Sequence, residues 1–261
     1  MKIVAIANQK GGVAKTTTAI NLGAALAERG LTVLLIDLDP QGNASTGLGI
    51  GPDRRDPSSY DLLLGETLAS DIALETRTPG LWIVPATTEL SSTDVQLQNA
   101  ARRVYHLRNR LGIDPALSRR FRTVLIDCPP SLSLLTLNAL VAAHSVLIPL
   151  QSEFFALEGL SQLMLTIREI RQSANPRLRV EGVLLTMHDP RNNLAQQVER
   201  DARENLGELV YRTVIPRNVR LSEAPSHALP ALVYDPESKG AQAYRALAAE
   251  FLAANSLWSP A

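Results

Sequence analysis

A short apolar run, Ile3-Val4-Ala5-Ile6, breaks off into Lys10-Gly11-Gly12-Val13-Ala14-Lys15-Thr16-Thr17-Thr18, and an amphipathic stretch, Thr16 to Arg29, follows at once. A strand, a glycine-bearing loop and a helix start in that order aim several backbone N–H groups and the positive end of the helix dipole at one point. That point suits an anion, and the loop fixes what surrounds it. Lys15 adds a point charge for phosphate oxygens, and the Thr16 hydroxyl is placed to ligate Mg²⁺ held between them. The usual pattern GxxxxGK[ST] is not met, because its first glycine falls on Gln9 and its second on Ala14. The variant KGGxxK[ST], with the additional Lys10, is met. Of only four lysines in the chain two lie in this loop, while the other twenty-two basic residues are arginine.

Further β-type runs recur at Val33–Ile36, Leu81–Val84, Val124–Ile126, Ser145–Ile148 and Val180–Leu185. Most are apolar almost throughout, the pattern of strands covered on both faces. Between them lie segments with apolar residues at three- and four-residue spacing: Glu89–Leu111, Leu134–Ala143, Leu157–Gln172 and Leu194–Leu206. This alternation predicts an α/β fold, a doubly wound and mainly parallel sheet with helices on both faces. Ligands in such sheets bind beyond the carboxyl ends of the strands. Gly49 to Pro57 is expected to be a surface excursion, residues 1–261 a single domain, and Asn255 to Ala261 a frayed tail.

The 261 residues are 45% hydrophobic and 20% charged, enough apolar material for a core and no signature of disorder. Twenty-six basic residues balance twenty-six acidic ones, so any grip on a polyanion must come from a local patch. The lone cysteine, Cys128, excludes disulfide frameworks and cysteine-ligated clusters within one chain and fits a reducing, cytoplasmic setting. The N-terminal apolar run is too short for a secretory signal or a membrane span, and no membrane association is expected. Four histidines, His106, His144, His188 and His227, match no metal spacing.

Two carboxylates, Asp37 and Asp39, stand one residue apart where the second apolar run stops, and in an extended segment that spacing points both to one face. Asp39 is the better placed to orient an attacking water, and Asp37 to support loop and metal geometry. A third acid, Asp127, closes the run Val124-Leu125-Ile126 and has the form of a Walker B residue that bonds a water of the Mg²⁺ shell. Thr16, Asp37, Asp39 and Asp127 are thus the candidate metal set, and Lys15 and Asp39 are candidate catalytic residues. Residues Lys10, Gly11, Gly12, Val13, Ala14, Lys15, Thr16 and Thr17 are the candidate nucleotide cradle.

The strings KGGVAKTTT, DLDPQGN, IDCPPSL, EFFALEGL, LLTMHDPRNN and IPRNVRLSEAPS, in this order, resemble the ParA/Soj branch of the deviant-Walker P-loop ATPases from Ile3 to about Leu252. The resemblance implies a partitioning ATPase that uses ATP and Mg²⁺ and serves a chromosome or plasmid. It also implies an ATP-dependent homodimer in which Lys10 reaches the partner's phosphates, which adds Lys10 to Lys15 and Asp39 in the candidate catalytic set. Two stacked triphosphates repel unless cations lie between them, so nucleotide state and dimerisation become one equilibrium. The implied partners are nonspecific double-stranded DNA, contacted by Arg191 and Arg220, and a ParB-type centromere-binding protein that stimulates hydrolysis. The implied location is cytoplasmic and nucleoid-associated. Pro216 and Asn218 match the adenine-side loop.

Ala14 departs from the family pattern, which has glycine before the second lysine. A methyl there penalises any positive-φ backbone, so a nucleotide switch with impaired hydrolysis is an alternative reading. A MinD-like membrane-cycling ATPase is another, but Tyr244 to Asn255 carries one arginine and one glutamate, too little charge for anionic lipid. Only a handful of residues precede the loop, so an operator-binding extension and operator-specific repression are not expected. The arginines of Glu89 to Arg110 (Arg102, Arg103, Arg108 and Arg110) are expected to lie on a solvated helix face.

Overall fold

The computed structural model describes residues 1–153 and 156–255, with the side chains of 156–158 left aside. Seven strands form one sheet: β1 Lys2–Ile6, β2 Val33–Asp37, β3 Leu74–Glu75, β4 Leu81–Val84, β5 Thr123–Asp127, β6 Ser145–Gln151 and β7 Arg179–Thr186. Their spatial order is β3-β4-β2-β5-β1-β6-β7. Every pairing is parallel except that of β3 with β4. Five of the longer helices are α1 Lys15–Glu28, α2 Leu134–Ala142, α3 Ala156–Ser173, α4 Asn193–Leu206 and α5 Lys239–Asn255.

The apolar runs are continuous because successive residues enter different cores. Val4, Ile6, Val33, Leu35, Leu125 and Leu147 face one layer, where they meet Leu22 and Leu26 of α1 and Tyr244, Leu247 and Phe251 of α5. Ile3, Ala5, Leu34, Ile36, Val124 and Ile126 face the other, with Leu140 of α2 and Leu163 and Ile167 of α3. The period-two alternation of strand side chains thus fills both layers from one sequence run. In the register, Asp37 pairs with Asp127, which brings two acid-ended strands side by side at the carboxyl edge.

The predicted strands and the doubly wound architecture are present, and so are four of the five predicted helices. Glu89–Leu111 is a correction: it is not one helix. A 3₁₀ turn at Thr88–Ser92 and a short helix Thr93–Gln96 end before Arg102, whose φ is 61°, and a second helix runs His106–Gly112. The break has a partner in α2. The Asn138 side chain accepts from Leu107 N–H at 3.2 Å and donates to Arg103 C=O at 2.9 Å, satisfying backbone groups that a continuous helix would have paired internally. Arg110 and Arg108 accordingly leave no shared helix face: they donate to the carbonyls of Thr67 and Ala174. Two-residue β3 carried no periodicity to detect. Of the tail, only Asn255 lies among the described residues, as the end of α5.

Candidate active site

The loop after β1 is tied down before any ligand arrives. Asn8 donates to Pro149 C=O at 2.7 Å and accepts from Lys10 N–H at 3.1 Å, fixing the loop's start to β6. Thr186 Oγ1 donates to Val13 C=O at 3.1 Å, fixing its middle to β7. The Lys15 ammonium donates to Lys10 C=O at 3.0 Å and folds back over the loop. Burial holds the Lys15 pKa below the usual lysine value, with the carboxylates of Asp127 and Asp39 opposing that shift.

Gly12 and Ala14 both take the left-handed conformation, at φ 73° and 67°. Ala14 is the residue before α1, with ψ 34° and no capping side chain, and its carbonyl accepts the first helical bond from Thr18 N–H. The methyl therefore sits where the backbone favours glycine. Around this loop lies a cavity of about 350 Å³ lined by Gly11, Gly12, Ala14, Lys15, Thr16, Thr17 and Asp39, together with Gln41, Asn43, Pro130 and Met187. Val13 is buried beneath it.

The three acids have different surroundings. Asp37 is fully buried and accepts from Asp39 N–H, Ser45 N–H and Ser45 Oγ at 3.2, 2.9 and 2.7 Å. Burial nonetheless raises its pKa to about 6, and those hydrogen bonds limit the rise. It anchors the short helix Asn43–Gly47 behind the cavity wall. Asp39 lines the cavity and steadies the turn by accepting from Gln41 N–H at 2.9 Å. Asp127 is fully buried, yet among the described residues neither carboxylate oxygen has a hydrogen-bond partner. Burial pushes its pKa well up, the charges of Asp37 and Asp39 add to the push, and the Thr16 hydroxyl and Lys15 ammonium oppose it.

An acid orphaned in this way beside Thr16 is an incomplete arrangement that a hydrated divalent cation completes. Among the described residues no three His, Cys, Asp or Glu side chains form a metal cage. The donor set fits Mg²⁺ held chiefly by a phosphate ligand, one hydroxyl and waters. Cys128 is buried and its thiol pKa is pushed far up by burial, so it is inert.

Besides Val13, Asp37 and Asp127, five predicted residues lie outside the cavity lining. Lys10 stands at the rim, its ammonium 2.6 Å from Glu153 Oε2. Pro216 bridges to His188, the residue after cavity-lining Met187, and Asn218 caps a short helix by accepting from Arg220 N–H at 3.0 Å. Arg191 is exposed and forms a two-point contact with Asp189, at 3.0 and 2.8 Å. Arg220 is paired with Glu223 at 2.8 Å and Asp235 at 3.0 Å. Asn8 was missed by sequence reasoning and lies outside the strings that it had singled out. Thr186, Met187, Glu153, Gln41, Asn43 and Pro130 fall inside those strings, and only their neighbours were assigned work.

A family model described as an AAA domain matches residues 1–180. The chain is 56% identical over 252 residues to the chromosome partitioning protein ParA of Caulobacter vibrioides, covering 97% of this chain and 94% of that one. It is 50% identical to the sporulation initiation inhibitor protein Soj of Bacillus subtilis, covering 97% and 98%. A solved structure named cobyrinic acid a,c-diamide synthase from Mycobacterium smegmatis, with bound ATP analog and magnesium, superposes with a TM-score of 0.81 at 40% identity, covering 95% and 93%.

Proposed function

The chain belongs to the ParA/Soj family of chromosome-partitioning ATPases, and from that premise we propose that ATP joins two copies of it into a dimer that grips DNA without sequence preference. A ParB-type partner then stimulates hydrolysis and release. The protein is an ATPase that works with ATP and Mg²⁺. The observation that carries the dimer is the placement of Lys10. Its ammonium is part-exposed, paired with Glu153 and outside the lining of its own cradle, which supports a role toward a second copy's phosphates.

In this reading the backbone of residues 11–17 and the Lys15 ammonium hold the phosphates, and Pro216 and Asn218 flank the base. Thr16 and Asp127 hold the Mg²⁺ shell, with Asp37 bracing the loop beside it. When bound, the cation supplies charge neutralisation between the phosphate oxygens. Asp39, at the cavity wall, accepts a hydrogen bond from the attacking water and aims it. Arg191 and Arg220 contact duplex phosphates, each position being present twice in a dimer. The cycle would run in the cytoplasm, on the nucleoid. Among the described residues no helix is long and apolar enough to cross a membrane.

The test is salt-dependent binding of nonspecific duplex DNA with ATP, with ADP and without nucleotide, for the native chain and Arg220→Glu. Binding is expected with ATP only, weakening steeply with salt and lost in the variant. Equal binding in all three nucleotide states would remove the switch.

A further inference from the structure

The carboxyl edge of the sheet carries the nucleotide cavity; the amino edge carries a second one. The starts of β1, β6 and β7 lie side by side there, and a concavity of about 480 Å³ is lined by Lys2, His144, Arg171, Pro176, Arg177, Leu178 and Arg179. No acid lines it. Lys2 is partly committed, to Glu181 at 2.9 Å, but among the described residues Arg171, Arg177 and Arg179 have no ion pair or side-chain hydrogen bond. The contrast with the other face is plain, because Arg191 and Arg220 are both neutralised within the chain. A charge-neutral protein thus concentrates unpaired guanidinium groups in one hollow.

The hollow is also preorganised. Arg177 sits in the loop between α3 and β7, and that loop is pinned by Asn175, a buried side chain that donates to the carbonyls of Leu140, Val141 and Ala143 at 3.1, 3.1 and 2.8 Å. Leu178 N–H closes the turn onto Asn175 C=O at 3.0 Å. Arg179 begins β7, its N–H bonded to His144 C=O at 3.1 Å. His144 Nδ1 accepts from Ile3 N–H at 2.9 Å, which leaves the proton on Nε2 as a donor. Burial, Lys2 and the chain's amino terminus all hold this imidazole neutral, a sign of the local positive field. Guanidinium forks held on fixed backbone match phosphate oxygens in pairs.

We propose that this amino-edge hollow is a second anion site, separate from the nucleotide cradle, that takes a phosphate-bearing ligand through Arg171, Arg177 and Arg179. Its volume suits a compact polyphosphate or the adjacent phosphates of one nucleic-acid strand.

The probe is inorganic tripolyphosphate, titrated calorimetrically into full-length protein whose cradle is filled with ADP and excess Mg²⁺. Native protein should bind it, and Arg177→Gln with Arg179→Gln should weaken binding about tenfold or more, the loss of two charge-assisted contacts. Arg171→Gln alone, at an exposed helix end, should weaken it less and serves if the double variant melts early. A short nonspecific duplex that displaces tripolyphosphate would mark nucleic acid as the source of the phosphates, and one that does not would mark a free polyphosphate. No uptake by native protein, equal uptake by the arginine variants, or preference for a polyglutamate peptide would overturn the proposal.

Discussion

Lys10 and Glu153, 143 residues apart in sequence, form an ion pair at 2.6 Å, and the Gln151 side chain donates to the other carboxylate oxygen of Glu153. The lysine proposed to serve a partner's phosphates is therefore held at home by its own chain. Dimerisation has to exchange one anion for another. Both side chains are substantially exposed, 36% and 50%, so the pair is weak, and its loss is worth at most about 1 kcal/mol. A dimer exchanges two such pairs, one per copy, so Glu153→Gln should raise the ATP-dependent dimer fraction, lowering the midpoint protein concentration up to about thirtyfold in light scattering. Lys10→Ala should leave the loaded protein monomeric. A Glu153→Gln chain that dimerises no more readily than the native one would remove the restraint.

Ala14 has the φ of a glycine position, 67°, at the start of α1. A left-handed alanine costs about 1 kcal/mol relative to glycine. Ala14→Gly should raise the melting temperature of nucleotide-free protein by about 2–4 °C, the usual return on such an energy in a chain of this size. It should also tighten ADP binding, because the methyl lines the phosphate cavity. Unchanged melting and affinity would mean that the loop relaxes around the methyl.

The sheet was legible because each strand presents apolar residues to both faces, so Val33 to Ile36 cannot be anything but an inner strand. Glu89 to Leu111 misled because its apolar spacing is compatible with a helix, while the break is dictated by Asn138 on a different element. The cradle was legible from adjacent residues. What escaped were pairings made by folding: Thr186 with Val13, Asn8 with Pro149, and Lys10 with Glu153. The sequence shows that Ala14 is unusual, but its cost depends on a backbone angle.

Both proposed DNA-contacting arginines are compensated. Asp189 is half-buried, and the hydrogen bonds from Arg191, with the Arg217 charge adding to them, hold its pKa down at about 2. A duplex phosphate must displace that carboxylate from Arg191. Asp189→Asn should therefore strengthen nonspecific DNA binding in the ATP state by about three- to tenfold, as expected for releasing one charged contact. Filter binding across a salt series would show it, and weaker binding by the variant would assign Asp189 a part in shaping the DNA surface.

Asp127 links stability to function through its missing partners. Its native pKa lies well above the unfolded value, so over the interval between the two the native state holds a proton that the unfolded chain has released. Stability is then greatest below the unfolded pKa and falls as pH rises through the native one. Asp37, raised to about 6, contributes the same sign between about pH 4 and 6, and Asp127 adds to that decline. Thermal melts of nucleotide-free protein should accordingly lose stability from about pH 4 upward, and Asp127→Asn should flatten the curve. Near neutral pH the variant should be more stable by about 1–3 kcal/mol, because an unpaired buried carboxylate is gone. ATP with Mg²⁺ should stabilise the native chain and flatten its pH profile, since cationic charge beside Asp127 favours the ionised form. The variant should gain little from Mg²⁺ and hydrolyse no ATP. Identical pH slopes in the two proteins, or hydrolysis by Asp127→Asn at the native rate, would dissociate this acid from the metal.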